Sequence, residues 1–287
     1  MKYSNKNTIK ITTDNEWIGK YEILEEQYNN EKIEIFSLGD NLPTERRSKF
    51  GKASIFKTTL KELAKQYPEI TKINLMQQLE IVHKLRTKDF EKVYFKAPEI
   101  ISQSAKFLKN SSLPVITAIT GNREFDYQTL LDFVAKKTNS EQISYLDKLT
   151  EAEKFDLITN PKLIERNSTG IILLPYNKKT KTETIDEVLD SASEGKYERL
   201  ILMTHENPIP TLFGVDRKVK MKEELNYCIE NIVKINQNST AYTGHLDKSN
   251  HSIIYLGVKI QPISGTEAGY LNTDSGLFEK INLIKND

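Results

Sequence analysis

Residues 114–124 read PVITAITGNRE, a run of apolar and β-branched residues that stops at a Gly-Asn pair. Side chains branched at Cβ favour extended backbone, and Gly-Asn punctuates it. The same figure recurs along the chain. TIKITT (8–13) stops at Asp14-Asn15-Glu16, KIEIFSL (32–38) at Gly39-Asp40, and RLILM (199–203) at Thr204-His205. GIILL (170–174) ends at Pro175-Tyr176, and STAYT (239–243) leads into Gly244-His245. Between these runs, apolar residues recur at helical spacing over 54–66, 75–85, 99–109, 127–137, 184–193 and 220–236. Short β-runs alternating with amphipathic helices predict an α/β (α+β) fold. Short charged segments near 177–183 and 214–220 are the linker candidates, and neither marks a domain boundary, so 1–287 reads as one domain.

The residues at the strand ends matter more than the strands. Ligand sites in α/β sheets gather where strands stop, because the strand holds the backbone while the loop presents a side chain. Here the stops carry Asp, Asn and His. Those types form turns and helix caps in any α/β protein, and they also ligate divalent metals. Four or more such stops favour the second reading.

Composition removes several classes of function. The 287 residues carry 41 Lys+Arg against 40 Asp+Glu, a net charge of +1, which argues against a strongly basic nucleic-acid coat or an acidic tail. With 38% hydrophobic and 28% charged residues the chain has the make-up of a globular protein. No apolar run reaches the ~18 residues of a membrane span, and the N-terminus lacks the apolar core of a secretion signal. A single cysteine, Cys228, excludes an intrachain disulfide and a multi-cysteine metal site. The expected compartment is the cytoplasm. Imidazole chemistry is limited to four histidines, His83, His205, His245 and His251. His83 falls in a helical apolar pattern and reads as a core-edge or surface residue, while His251 follows Ser249-Asn250 and reads as a solvated loop residue.

Taken in order, Asp14-x-Glu16, Gly39-Asp40, Gly121-Asn122-x-Glu124, Thr204-His205 and Gly244-His245-x-Asp247 resemble the motif series of the calcineurin-like metallophosphoesterase superfamily. That series is Asp-x-His, Gly-Asp, Gly-Asn-His-Asp/Glu, His and Gly-His-x-His. Within it, Leu174-Pro175-Tyr176, the turn from Thr204 to Pro208, and the stretch 252–276 look like the SbcD-type nuclease subunits, including phage recombination versions. The resemblance implies a two-sheet sandwich flanked by helices, with a helical insertion at about 50–95. It implies a divalent ion pair, Mn²⁺ or Mg²⁺, held by Asp14, Glu16, Asp40, Asn122, His205, His245 and Asp247, with Asp40 as the bridging carboxylate. It also implies hydrolysis of a phosphodiester in nucleic acid, in DNA recombination or repair, in the cytoplasm (the host's, for a phage protein).

Three imidazoles of that series are replaced. Glu16, Arg123 and Asp247 stand where histidines are expected. Two carboxylates for two imidazoles harden the site toward Mg²⁺, Ca²⁺ or Mn²⁺. Arg123 matters more for chemistry. In the family the histidine at that place steers the phosphate and helps protonate the leaving oxygen, whereas a guanidinium stays charged and gives up no proton. Arg123 is left with two roles, a phosphate contact beside Asn122 or an ion pair with Asp40 or Glu124. Catalysis is therefore expected to be weakened or lost, in which case the site could hold no metal at all. The alternatives are a pseudo-enzyme serving as a binding or assembly module, and a small-molecule phosphoesterase. Arg46 and Arg47, just after Gly39-Asp40, are the candidate substrate contacts; the basic stretches 178–181 and 217–220 read as solvated loops. The family's SMC-like ATPase partner is a weak expectation, because about 40 residues follow Asp247 and the usual helical binding segment is absent from them.

Overall fold

The computed structural model describes residues 7–13, 18–41, 73–84, 95–176, 182–208, 222–246 and 251–283. Two mixed sheets of six strands face each other. The first runs β12 (Phe278–Asn282), β11 (Glu267–Asn272), β1 (Thr8–Thr12), β2 (Glu34–Ser37), β3 (Ile116–Ile119), β4 (Phe155–Ile158). The second runs β5 (Lys162–Arg166), β6 (Thr169–Leu174), β7 (Arg199–Thr204), β8 (Ser239–Leu246), β10 (Val258–Ser264), β9 (Ile253–Tyr255). β1 to β4 are mutually parallel, as are β6, β7, β8 and β10, so each group has its carboxyl ends along one edge of its sheet.

The sequence dictates this layering. β6 is buried at all six positions, and β7 at every position after Arg199. A strand that is apolar on both faces needs a partner on each. Ile171, Leu173, Ile201 and Met203 meet Ile9, Ile11, Phe36 and Ile119 of the first sheet. Their neighbours Ile172, Leu174, Leu200 and Leu202 face the other way, into Ile185, Leu189, Leu225, Cys228 and Ile229. Those belong to α6 (Thr182–Glu194) and α7 (Lys222–Ile235). The outer face of the first sheet is covered by α1 (Ile18–Glu31), α3 (Ala97–Lys109) and α5 (Tyr145–Glu151) through Tyr21, Leu24, Ile101, Leu108 and Tyr145. A smaller cluster joins α2 (Leu75–Lys84) to α4 (Asn122–Thr138). The result is the expected two-sheet sandwich flanked by helices.

Two boundaries differ from the sequence reading, and both bear on the site. α4 begins at Asn122, not near 127, with Gly121 as its N-cap. Asn122, Arg123 and Glu124 therefore form the first helical turn instead of a loop. β8 continues through Leu246, so Gly244-His245 lie within the strand. Helix α1 was not anticipated, because Glu and Asn interrupt its apolar residues. The helix expected at 54–66, and most of the insertion at 50–95, fall outside the described residues; α2 is the described part. Among the described residues no helix is long and apolar enough to cross a membrane.

Cys228 is fully buried on the inner face of α7, and burial pushes its thiol up to about 12. The thiolate is the reactive species. The native protein is expected to resist a thiol reagent at neutral pH and to react with one equivalent only on unfolding, as a denaturant titration with a chromogenic disulfide would read.

Candidate metal and phosphate site

The carboxyl edges of the two sheets meet. Thr120, just past β3, and Tyr176, just past β6, exchange hydrogen bonds: Thr120 Oγ1 donates to the Tyr176 carbonyl at 2.7 Å, and the Tyr176 N–H donates to the Thr120 carbonyl at 2.8 Å. Where the two sheets meet, the backbones pack too closely for side chains. A Cβ on Gly39 would stand 2.7 Å from the Gly121 Cα and 2.8 Å from His205 Nδ1. One on Gly121 would press on Asp40, and one on Gly244 on Thr13. Gly39 has φ +105° and Asp40 follows it at φ +56°, a conformation that Asp tolerates better than most side chains.

This pair of left-handed residues is held by Glu124. Its carboxylate accepts the Gly121 N–H at 2.8 Å, the Asp40 N–H at 3.3 Å, the Asn41 N–H at 2.7 Å and Asn41 Nδ2 at 3.1 Å. Asn41 in turn donates from Nδ2 to the Ile119 carbonyl at 2.8 Å and accepts from Ser37. Its carbonyl accepts from the Tyr21 hydroxyl. One carboxylate in the first turn of α4 thus fixes the end of β2.

Asp40, fully buried, points back at the same helix. Its Oδ1 accepts the Arg123 N–H at 2.9 Å, a use of the free N–H groups at a helix start. Its Oδ2 lies 3.6 Å from His205 Nε2 and 3.8 Å from Arg123 Nε. His205 is fully buried, with Nδ1 at 2.8 Å from the Leu38 carbonyl. A carbonyl only accepts, so Nδ1 carries the ring proton and the Nε2 lone pair turns toward Asp40 and toward Asn122 Oδ1, 2.9 Å away. Asn122 Nδ2 donates to Asp126 at 3.4 Å, which keeps Oδ1 on the histidine side. Two lone pairs at 2.9 Å are compatible with a shared cation. Turning the amide would satisfy them too, at the cost of the Asp126 bond.

Asp40, Asn122 and His205, expected from the sequence as ligands, are thus brought together. The gaps of 2.9 and 3.6 Å between their atoms bracket the roughly 3 Å ligand edge around a cation bound at 2.0–2.1 Å. Among the described residues no three His, Cys, Asp or Glu form such a group; the third donor here is an amide. His245 belongs to β8, whose Gly244 abuts Thr13 and the His205 carbonyl, but its side chain is outside the described residues, as are Asp14, Glu16, Arg46, Arg47 and Asp247. The basic stretches 178–181 and 217–220 are outside them too. Arg123 takes the ion-pair role with Asp40. His83 lies at a core edge, its ring edge-on to Phe95 and Phe133 at 5.9 Å, and His251 is exposed.

Sequence reading missed Glu124 and Tyr176 as site residues. A Glu three residues after a glycine N-cap is a capping signature that could have found the first. Tyr176 packs against Phe125 at 5.5 Å between ring centres. Burial, then the carboxylates of Glu206, Asp126 and Asp40, push its phenol up to about 12, so it stays neutral beside the site.

Glu124→Ala would leave three backbone N–H groups without their acceptor. Each such loss costs about 1–3 kcal/mol, and a destabilisation of at least ~3 kcal/mol is expected from urea unfolding. A change under ~1 kcal/mol would show that Glu124 does not hold this edge.

No family model and no curated protein matches the sequence. Among the solved structures that align with the chain are two from bacteria. One is a Staphylococcus aureus protein assigned as a 5′-nucleotidase, crystallised with α-ketoglutarate, at 11% identity and a TM-score of 0.49, aligned over 98% of this chain and 55% of its own. The other is a conserved Streptococcus pneumoniae protein assigned as a phosphoesterase, at 11% identity and a TM-score of 0.31, aligned over 96% of this chain and 97% of its own. The chain thus spans about half the length of the first, and its chemistry has to be argued from its own residues.

Proposed function

We propose that this chain is a divergent calcineurin-like metallophosphoesterase of the SbcD-type branch. In this reading it binds a divalent cation and a phosphodiester, with DNA as the substrate class, and hydrolyses it weakly or not at all. The observation that carries the reading is the convergence of Asp40 Oδ2, Asn122 Oδ1 and His205 Nε2 at the joined sheet edges, with the far nitrogen of His205 held by a backbone carbonyl. Metal-bound histidines are oriented in this way, which fixes the tautomer and aims the free lone pair. One imidazole nitrogen and two oxygens suit Mn²⁺ or Mg²⁺ better than a thiophilic ion.

When bound, the ion would supply a Lewis acid for a phosphoryl oxygen. The residues do the rest. Asp40, Asn122 and His205 would hold the ion; His245, Asp14, Glu16 and Asp247 are the other residues of the proposed set, which the resemblance divides between two ions. Arg123 offers fixed positive charge for the phosphate but no transferable proton, and loss of a general acid is worth about 10²–10⁴-fold in rate. A second reading, a binding or assembly module without turnover, is favoured by one observation: Arg123 Nε stands 3.8 Å from Asp40 Oδ2, where the family places a protonatable imidazole.

Mn²⁺ binding followed by calorimetry should fall at least tenfold in Asp40→Asn and in His205→Ala; unchanged binding in both would refute the site. Arg123→His should raise hydrolysis of a model phosphodiester by about 10²-fold; no gain would select the binding module. DNA binding by the wild type should weaken by at least about tenfold between ~50 and ~200 mM salt. An affinity that ignores salt would exclude nucleic acid as the phosphodiester bound.

A further inference from the structure

We propose that Arg123 is a built-in cation of this centre, so that the site takes one divalent ion and not a pair. The inference rests on the metal-binding reading above and concerns how many ions that site accepts. Arg123 approaches Asp40 twice. Its backbone N–H bonds Oδ1 at 2.9 Å, and its Nε stands 3.8 Å from Oδ2. The two side chains are 10% and 0% exposed, so the pair is shut in by the joined sheet edges.

A carboxylate that bridges two metal ions offers a lone pair to each. On Asp40, Oδ1 already accepts a helix N–H, and Oδ2 lies 3.6 Å from His205 Nε2 and 3.8 Å from Arg123 Nε. His205 Nε2 and Asn122 Oδ1, 2.9 Å apart, are donors for one ion. The guanidinium carries a charge that no accessible pH removes. A second dication on the same carboxylate would meet that charge at short range, away from bulk water, where repulsion is weakly screened. The guanidinium also offsets the buried charge of Asp40, whose loss of a partner would be costly in this setting. Replacement of the family's histidine by arginine thus acts as a substitution of charge: a fixed +1 in the protein for an exchangeable +2 from solution.

The test is the number of Mn²⁺ bound, read by electron paramagnetic resonance of the free ion and by the presence or absence of a spin-coupled Mn–Mn signal. The wild type and Arg123→Lys, which keeps the charge, should saturate at one equivalent with no coupled signal. Arg123→Gln, with the charge removed, should take a second equivalent and show coupling. Circular dichroism establishes that the variants are folded, and the wild-type count stands whether or not they are. Two equivalents with coupling in the wild type would overturn the proposal while leaving the metal-binding reading intact. A single equivalent in all three proteins would remove Arg123 from the explanation. No binding in any of them would overturn both.

Discussion

The Glu124 carboxylate carries more of this structure than its place in a capping turn suggests. It sits at the start of α4, yet most of the hydrogen bonds it accepts come from the end of β2. The backbone there turns through two left-handed residues, Gly39 and Asp40, a conformation that costs energy unless the surroundings over-determine it. Charge-assisted hydrogen bonds from consecutive N–H groups do so. With that turn fixed, Asp40 aims at the first turn of α4, where Arg123 meets it and Asn122 meets His205. The metal-ligand candidates of two strands are therefore positioned by one side chain that ligates nothing itself.

The strands supply the other half of the constraint. β6 and β7 are apolar on both faces, so they require a second sheet on one side and helices on the other. Stacking the sheets brings the carboxyl ends of β2 and β3 against that of β7, and the end of β1 against β8, at points where glycine backbones approach closely. Gly39, Gly121 and Gly244 are the residues that permit this closeness. The site is thus a product of how the layers close and not of any one loop.

Much of this was legible in the sequence. The six β-runs appear as strands, and five of the six helical patterns correspond to described helices. The runs were readable because they are apolar or alternating and end at turn residues. What escaped was local chemistry without periodicity. The start of α4 was missed because Asn122, Arg123 and Glu124 are polar and enter no apolar pattern, although a helix N-terminus is where such residues belong. β4, β5 and α5 are short and were not singled out. The Arg123–Asp40 pair was one of two roles left open, since spacing does not fix where a long side chain goes. Tyr176 was noted for the strand it ends, but only its burial beside three carboxylates makes it part of the site.

His205 does two jobs that are easily confused. Its Nε2 faces the candidate ligands, but its Nδ1 binds the Leu38 carbonyl, and Leu38 belongs to the opposite sheet. The ring is a bolt through the sandwich as well as a donor into the cavity. Packing between the sheets is therefore a second reason, beside metal binding, for an imidazole at this position. Asn122 has no such excuse. It is half-buried at a helix start, its carbonyl 2.9 Å from His205 Nε2 and its amide N–H donated to Asp126. The packing of the two sheets would thus keep the ring in place even if the amide opposite it were exchanged.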